Sequence, residues 1–237
     1  MKSLIKNCVL YLAVLLSLAY MVSAYGANNN IYITQSGGSS ALTMNIDQIG
    51  TGNVVGTISA RASLTGTNMT VDIDQIGDSN VIAATVAQGN TTSFTLSSTG
   101  DSNTQTLAVG ATGDVAGSDF DFAATGDSNA LTFTQGAAAT ATSGNTDIVI
   151  TGTSNTLNIT SEVVGATNSW DIDGDSNTID TTQTGNADHS ITADITGSSN
   201  NIDIDQTNAV GLTSGIVDII ATTTSGIIDI DQCASGC

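Results

Sequence analysis

Few side chains in this 237-residue chain could carry chemistry: one histidine, three cysteines, and 22 acidic residues against 3 basic ones. The alternation described below puts His189, the single histidine, on an inward position near a strand start. No serine or thiol stands near it at a spacing that would pair a nucleophile with its base, so no enzymatic activity and no catalytic residue is expected. Cys233 and Cys237 close the chain as Cys-Ala-Ser-Gly-Cys. In an exported protein the expectation is a disulfide that caps the last repeat; intermolecular pairing, or a zinc site short of two ligands, are the alternatives. Asp171-Ile172-Asp173-Gly174-Asp175-Ser176-Asn177 has the aspartates of a calcium loop without its distant glutamate, and it is read instead as a strand end plus a turn. A weaker calcium reading rests on Asp78, Asp101 and Asp127, which share one turn position in three consecutive repeats. Unit charges about 5 Å apart repel by roughly 0.8 kcal/mol in water, and calcium or acid would relieve that.

Those turns belong to a repeat. A glycine followed three residues later by asparagine occurs as Gly50/Asn53, Gly77/Asn80, Gly100/Asn103, Gly126/Asn129, Gly152/Asn155, Gly174/Asn177 and Gly197/Asn200, with successive glycines 27, 23, 26, 26, 22 and 23 residues apart. Four residues before each glycine stand Ile46, Ile73, Leu96, Phe122, Ile148, Trp170 and Ala193, all apolar. One residue further on, the set Asp47, Asp74, Ser97, Ala123, Val149, Asp171 and Asp194 is mostly polar. After each asparagine the second residue is Val55, Ile82, Gln105, Leu131, Leu157, Ile179 or Ile202, and the fourth is Thr57, Ala84, Leu107, Phe133, Ile159, Thr181 or Ile204. Period-two alternation on both sides of a tight turn is a strand-turn-strand unit. Units this short cannot bury their own apolar faces, so they must stack. The expected fold is all-β: a β-solenoid with two strands per rung and about seven to eight rungs, over residues 31–237.

Composition agrees. Low aromatic content and high net charge would ordinarily suggest disorder, but the face-specific Ile, Val and Leu columns argue against it. Proline is absent, as a stack in which every strand donates its N–H requires. Lys2 and Lys6, the apolar run Val9 to Ala19 and the small residues Val22-Ser23-Ala24 describe a secretory signal over residues 1–24. That run is shorter than the roughly twenty apolar residues of a membrane span, so no membrane insertion is expected once the signal is removed. Its removal leaves Arg61 alone against the acidic side chains, which disfavours nucleic acid and anionic lipid as partners. Residues 25–30 are a short polar lead, and Ile31 to Gln35 opens the stack as a half unit closed by Gly37-Gly38-Ser39-Ser40. Gly89-Asn90, Gly144-Asn145 and Gly185-Asn186 suggest a second class of turn, and Ala137 to Ser143 a longer loop. Thr223-Thr224-Ser225-Gly226 is the turn of a degenerate last unit with Val217, Ile219 and Ala221 before it and Ile228, Ile230 and Gln232 after.

Inward amides must be hydrogen-bonded. The turn asparagines, one per unit, are expected to form a ladder, and Gln48, Gln75, Gln88, Gln135, Gln183, Gln206 and Gln232 to satisfy one another in the same way. The run Gln75-Ile76-Gly77-Asp78-Ser79-Asn80, with Gln88 eight residues later, resembles the curlin repeat. Gln48-Ile49-Gly50 with Asn53 matches nearly as well, whereas the first glutamine is Ser98, Ala124, Ile150, Ile172 or Ile195 in the other units. Curlins are secreted subunits of curli, the functional amyloid fibres of the bacterial surface and biofilm matrix. The resemblance implies a two-strand solenoid that polymerises with itself, with a nucleator subunit and outer-membrane export machinery as further partners, in the extracellular space or at the surface of a Gram-negative bacterium. The rival reading is a monomeric secreted adhesion module that contacts a surface, sugar or ice. Thr65/Thr67, Thr104/Thr106, Thr132/Thr134 and Thr151/Thr153 hint at it, although they fall at different positions of the repeat.

Overall fold

The computed structural model describes residues 19–25, 30–31, 33–40, 42–50, 53–56, 62–77, 79–90, 92–100, 102–110, 115–136, 141–185, 189–208 and 215–234. Among these residues all regular structure is β-strand, and every strand pairing is parallel. Pairing runs in two series. In the first, Thr43–Ile49, Thr70–Ile76, Ser93–Thr99, Val115–Thr125 and Ala141–Thr151 stack in chain order. It continues through the second half of Thr156–Asp173 to Ser190–Thr196 and Ile216–Thr222. In the other series, Val81–Asn90, Thr104–Val109, Ala130–Gln135 and the first half of Thr156–Asp173 are followed by Thr178–Gly185, Asn201–Asn208 and Ile227–Ala234. The chain is a β-solenoid of stacked parallel strands.

Alternation produces the core. The columns four before each glycine and two after each asparagine are buried almost without exception from Ile46 to Ile202. The two series face one another there, with the Phe122 and Phe133 rings 5.2 Å apart and Phe120 and Phe133 5.1 Å apart. Fully burying side chains of this size contributes roughly 1.5–3 kcal/mol each. Stacked columns also balance volume: Trp170, the largest residue of its column, is followed in register by Ala193, the smallest.

The glycine column is set by close approach. A Cβ built on Gly77 would lie 1.5 Å from the carbonyl oxygen of Gly50, and one on Gly126 would lie 1.5 Å from that of Gly100. No side chain fits between successive turns. Ser154, Ser176 and Ser199, each just before a ladder asparagine, sit in the left-handed region with φ of 60°, 59° and 58°.

Several expectations are corrected. Thr57 was expected to face inward, but Ala62 is the residue in register with Ala84, because the first and longest unit carries extra chain between its strands. Thr57 itself lies outside the described residues. Gly37 to Ser40 belongs to the strand Thr34–Ser40, whose register shifts between Gln35 and Ser39, so the expected turn is a β-irregularity. Gly144-Asn145 is not a turn. It lies inside Ala141–Thr151, in register with Ser118 and Asp119, and the strand also takes in residues 141–143 of the expected loop. A Cβ on Gly144 would lie 2.5 Å from Gln135 Nε2, so this glycine makes room for an amide. Gly89-Asn90 closes the strand Val81–Asn90, and Thr156–Asp173 passes from one series to the other as one strand, so these corners need no tight turn.

Gly126→Ala is expected to destabilise the fold by about 3 kcal/mol or more, through displacement of two stacked turns. Chemical denaturation followed by circular dichroism would measure this; a loss within a few tenths of a kcal/mol would contradict the close approach.

Candidate functional site

All seven turn asparagines are buried. Each donates Nδ2 to the carbonyl of the glycine three residues earlier, at 2.9 Å for Asn53 and Asn103 and 2.8 Å for Asn129. This bond closes the turn. The same amides bridge successive turns, from Asn80 to Asn103 Oδ1 at 3.1 Å, Asn103 to Asn129 at 2.9 Å, Asn129 to Asn155 at 3.0 Å, Asn155 to Asn177 at 2.9 Å and Asn177 to Asn200 at 3.1 Å. Among the described residues the file begins at Asn80, and Asn53 directs Nδ2 to the carbonyls of Gln48, Gly50 and Ile76. Main-chain bonds reinforce the stack: Gly100 N–H donates to Thr125 O and Gly126 N–H to Thr151 O.

The glutamines form two files rather than one. In the first series, Gln75 Nε2 donates to Gln48 Oε1 at 2.5 Å and to Val81 O. Ser98 follows in that column, and Gln105 reaches its Oγ at 3.0 Å from the opposite series, so the amide function changes sides. In the second series, Ser161 donates to Gln135, Gln206 to Gln183 at 2.7 Å, and Gln232 to Gln206 at 2.8 Å. Gln88 is not in that column. Val86 occupies it, in register with Val109 and through it Gln135, and the backbone of Gln88 lies two positions beyond. The glycines facing these amides carried a signal that sequence reading missed: a Cβ on Gly215 would lie 2.5 Å from Gln206 Oε1, as Gly144 does for Gln135.

His189 is buried, and Trp170 lies in the core as its column requires. Cys233 is disulfide-bonded; Cys237 lies outside the described residues. So do Asp78 and Asp101, while Asp127 is exposed. Among the described residues no group of three or more His, Cys, Asp or Glu could hold a metal ion, and no helix is long and apolar enough to cross a membrane.

Carboxylates stack on the outer faces. Asp47 is in register with Asp74, Asp121 with Asp147, and Asp203 with both Asp180 and Asp229. Burial raises the Asp72 carboxyl above its ordinary value of 3.8, with Asp74 and Asp47 adding to it, and burial and then Asp147 and Asp119 raise Asp121. Asp203 is also raised, by desolvation and then Asp205, Asp180, Asp229 and Asp231. Asp175 is lowered, because the Ser198 N–H and hydroxyl both donate to it at 2.8 Å. The neutral outer positions carry hydroxyls: Thr106 is in register with Thr132, and Thr134, Thr160 and Thr182 form one file.

The two ends of the stack differ. At the C-terminal end Ile228 and Ile230 are 45% and 40% exposed, whereas Ile202 and Ile204, one repeat earlier in the same columns, are fully buried. Ile216, Ile220 and Ile227 are exposed there too. At the other end Ile31, Ile33, Met44 and Ile46 are buried.

A parallel β-solenoid with amide files, its C-terminal strands exposed among the described residues, is the class this geometry defines. No family model matches the chain, and neither a curated protein nor a solved structure does.

Two results are expected. Asn129→Ala removes one rung of the amide file and leaves buried carbonyls unsatisfied, and should cost about 3 kcal/mol by denaturant titration. Asp72, Asp121 and Asp203 hold their protons more tightly folded than unfolded, so stability falls as pH rises through their raised values and is recovered below them. Asp175 has the opposite sign; its contribution is present above 3.8 and is lost as pH falls through its lowered value. The three raised groups dominate just above the ordinary carboxyl range, so the melting temperature should rise between pH 7 and about pH 4.5. A melting temperature that falls over that interval would contradict this.

Proposed function

We propose that this protein is a secreted structural subunit that assembles end to end into curli-like amyloid fibres at the cell surface or in a biofilm matrix. The observation that carries this reading is the terminal strand pair, where the columns that form the core elsewhere end in exposed isoleucines beside a parallel edge that has no further partner among the described residues. Such an edge is a template for another chain. The two pairing series are read as the two strands of each rung, which gives about seven to eight rungs; at about 4.8 Å per rung the body is roughly 35 Å long. The amide files support the same reading, because in-register amides of this kind continue across identical stacked copies.

No catalysis is needed: the single histidine is buried, and Cys233 is held in a disulfide. The leader, the nucleator subunit and the export machinery belong to this proposal through the curlin resemblance. Acid, or calcium acting at Asp78, Asp101 and Asp127, would ease assembly by relieving carboxylate repulsion. A second reading, a monomeric module that contacts a surface, sugar or ice, draws on the aligned hydroxyls Thr134, Thr160 and Thr182. That file runs on into Asp205 and Asp231 toward the C-terminal end, which weighs against a single flat hydroxyl surface.

The chain from Tyr25 onward, incubated at moderate salt, should give seedable fibres that bind thioflavin T and diffract with a cross-β spacing, and faster at about pH 4.5 than at pH 7. A folded β protein that stays monomeric in the presence of seeds would overturn the fibre reading in favour of the surface-contact one.

A further inference from the structure

The strand Ala19–Tyr25 overlaps the residues read as the end of the leader. It pairs in parallel with Thr43–Ile49, from Ala19 opposite Thr43 to Tyr25 opposite Ile49. The same seven-residue register recurs up the first series, from Thr43–Ile49 against Thr70–Ile76 to Ser190–Thr196 against Ile216–Thr222. Alternation carries on as well. Tyr20, Val22 and Ala24 stand in register with the inward residues Met44, Ile46 and Gln48, and Met21 and Ser23 with Asn45 and Asp47 on the outward positions. No two carboxylates meet in this pairing, unlike Asp47 and Asp74 one strand further on.

Burial shows what the strand does. Met44 and Ile46 are buried. Val217 and Ile219, at the other end of the same two columns, are only partly buried, because no further strand among the described residues lies over Ile216–Thr222. A cut after Ala24 would take six of the seven residues of Ala19–Tyr25 and uncover Met44 and Ile46. It would also leave the second series one strand longer than the first, since Asn30–Ile31 and Thr34–Ser40 still pair with Val54–Val55 and Ala62–Thr67.

The sequence offers another place to cut. Ser17-Leu18-Ala19 directly follows the apolar residues 9–16 and has small residues at its first and third positions, the pattern also found at Val22-Ser23-Ala24, with Ser17 smaller than Val22. A leader that ends there keeps its basic start at Lys2 and Lys6 and an apolar run of the usual length.

We propose that the leader is removed between Ala19 and Tyr20, and that residues 20–25 remain as the first strand of the exported chain. Signal peptidase hydrolyses one peptide bond there: water is consumed, Ala19 leaves with the new carboxylate and Tyr20 gains the α-amine. The inference rests on the secretory leader of the proposed function and adds where that leader ends and what the residues after it do. With residues 20–25 in place both pairing series end level at the N-terminal side, as Ile216–Thr222 and Ile227–Ala234 do at the other.

The test expresses the full chain in a Gram-negative host with its own signal peptidase and analyses the exported protein by intact mass and N-terminal sequencing. A start at Tyr20 is the expected result. A start at Tyr25 or later overturns this inference and leaves the leader reading standing, whereas a chain that keeps Met1 overturns both. A second comparison addresses the strand itself, with chains that begin at Tyr20 and at Tyr25 followed by hydrogen exchange. The amides of Thr43–Ile49 that face the strand should exchange about tenfold faster or more in the shorter chain, or that chain should fail to fold. Equal exchange in two folded chains would overturn the role given to residues 20–25.

Discussion

The structure depends on how closely one turn lies on the next. At Gly77 and Gly126 the space for a Cβ is filled by the carbonyl of the preceding turn. That approach lets an asparagine three residues on close its own turn and still reach the asparagine of the following repeat, as Asn103 does with Gly100 and Asn129. Glycine and asparagine are thus coupled. A larger residue at the first would separate the turns, and an apolar residue at the second would leave stacked carbonyls without donors. Cooperative amide files of this kind hold register more strictly than apolar columns, which tolerate Phe122, Ile148, Trp170 and Ala193 in succession.

Opposing the stack is its own charge. Parallel, in-register strands place like residues over one another, so each outward aspartate that recurs in the repeat meets its copy, as Asp47 meets Asp74. Burial and these neighbours raise Asp72 and Asp121, while Ser198 replaces a carboxylate above Asp175 and turns repulsion into two hydrogen bonds. The outer faces carry the acidic side chains, whereas the C-terminal end exposes isoleucines.

Much of this was legible in the order of residues. The seven glycine–asparagine turns, the apolar columns and the polar outward column all lie where alternation puts them, and the last unit, recognisable by Ile228, Ile230 and Gln232, pairs as expected. The misreadings share one cause. Thr57, Gly37 to Ser40 and Gly144-Asn145 lie where the unit length varies, and turn propensity near a corner does not tell whether the chain reverses tightly or bends through a continuing strand. Gln88 failed similarly, since its distance from Asn80 differs by two residues from that of the glutamines that do stack.

Side-chain order alone determines which residues face inward and where each turn falls, because a period of two and the demands of glycine and asparagine are local properties of the backbone. Stacking decides the rest. Two separate glutamine files, the transfer of the amide from Ser98 to Gln105, the glycines that admit Gln135 and Gln206, and the seating of Ala19–Tyr25 on Thr43–Ile49 all join residues from different repeats or opposite series. No local pattern encodes such partners, because they meet only once the strands have been brought into register.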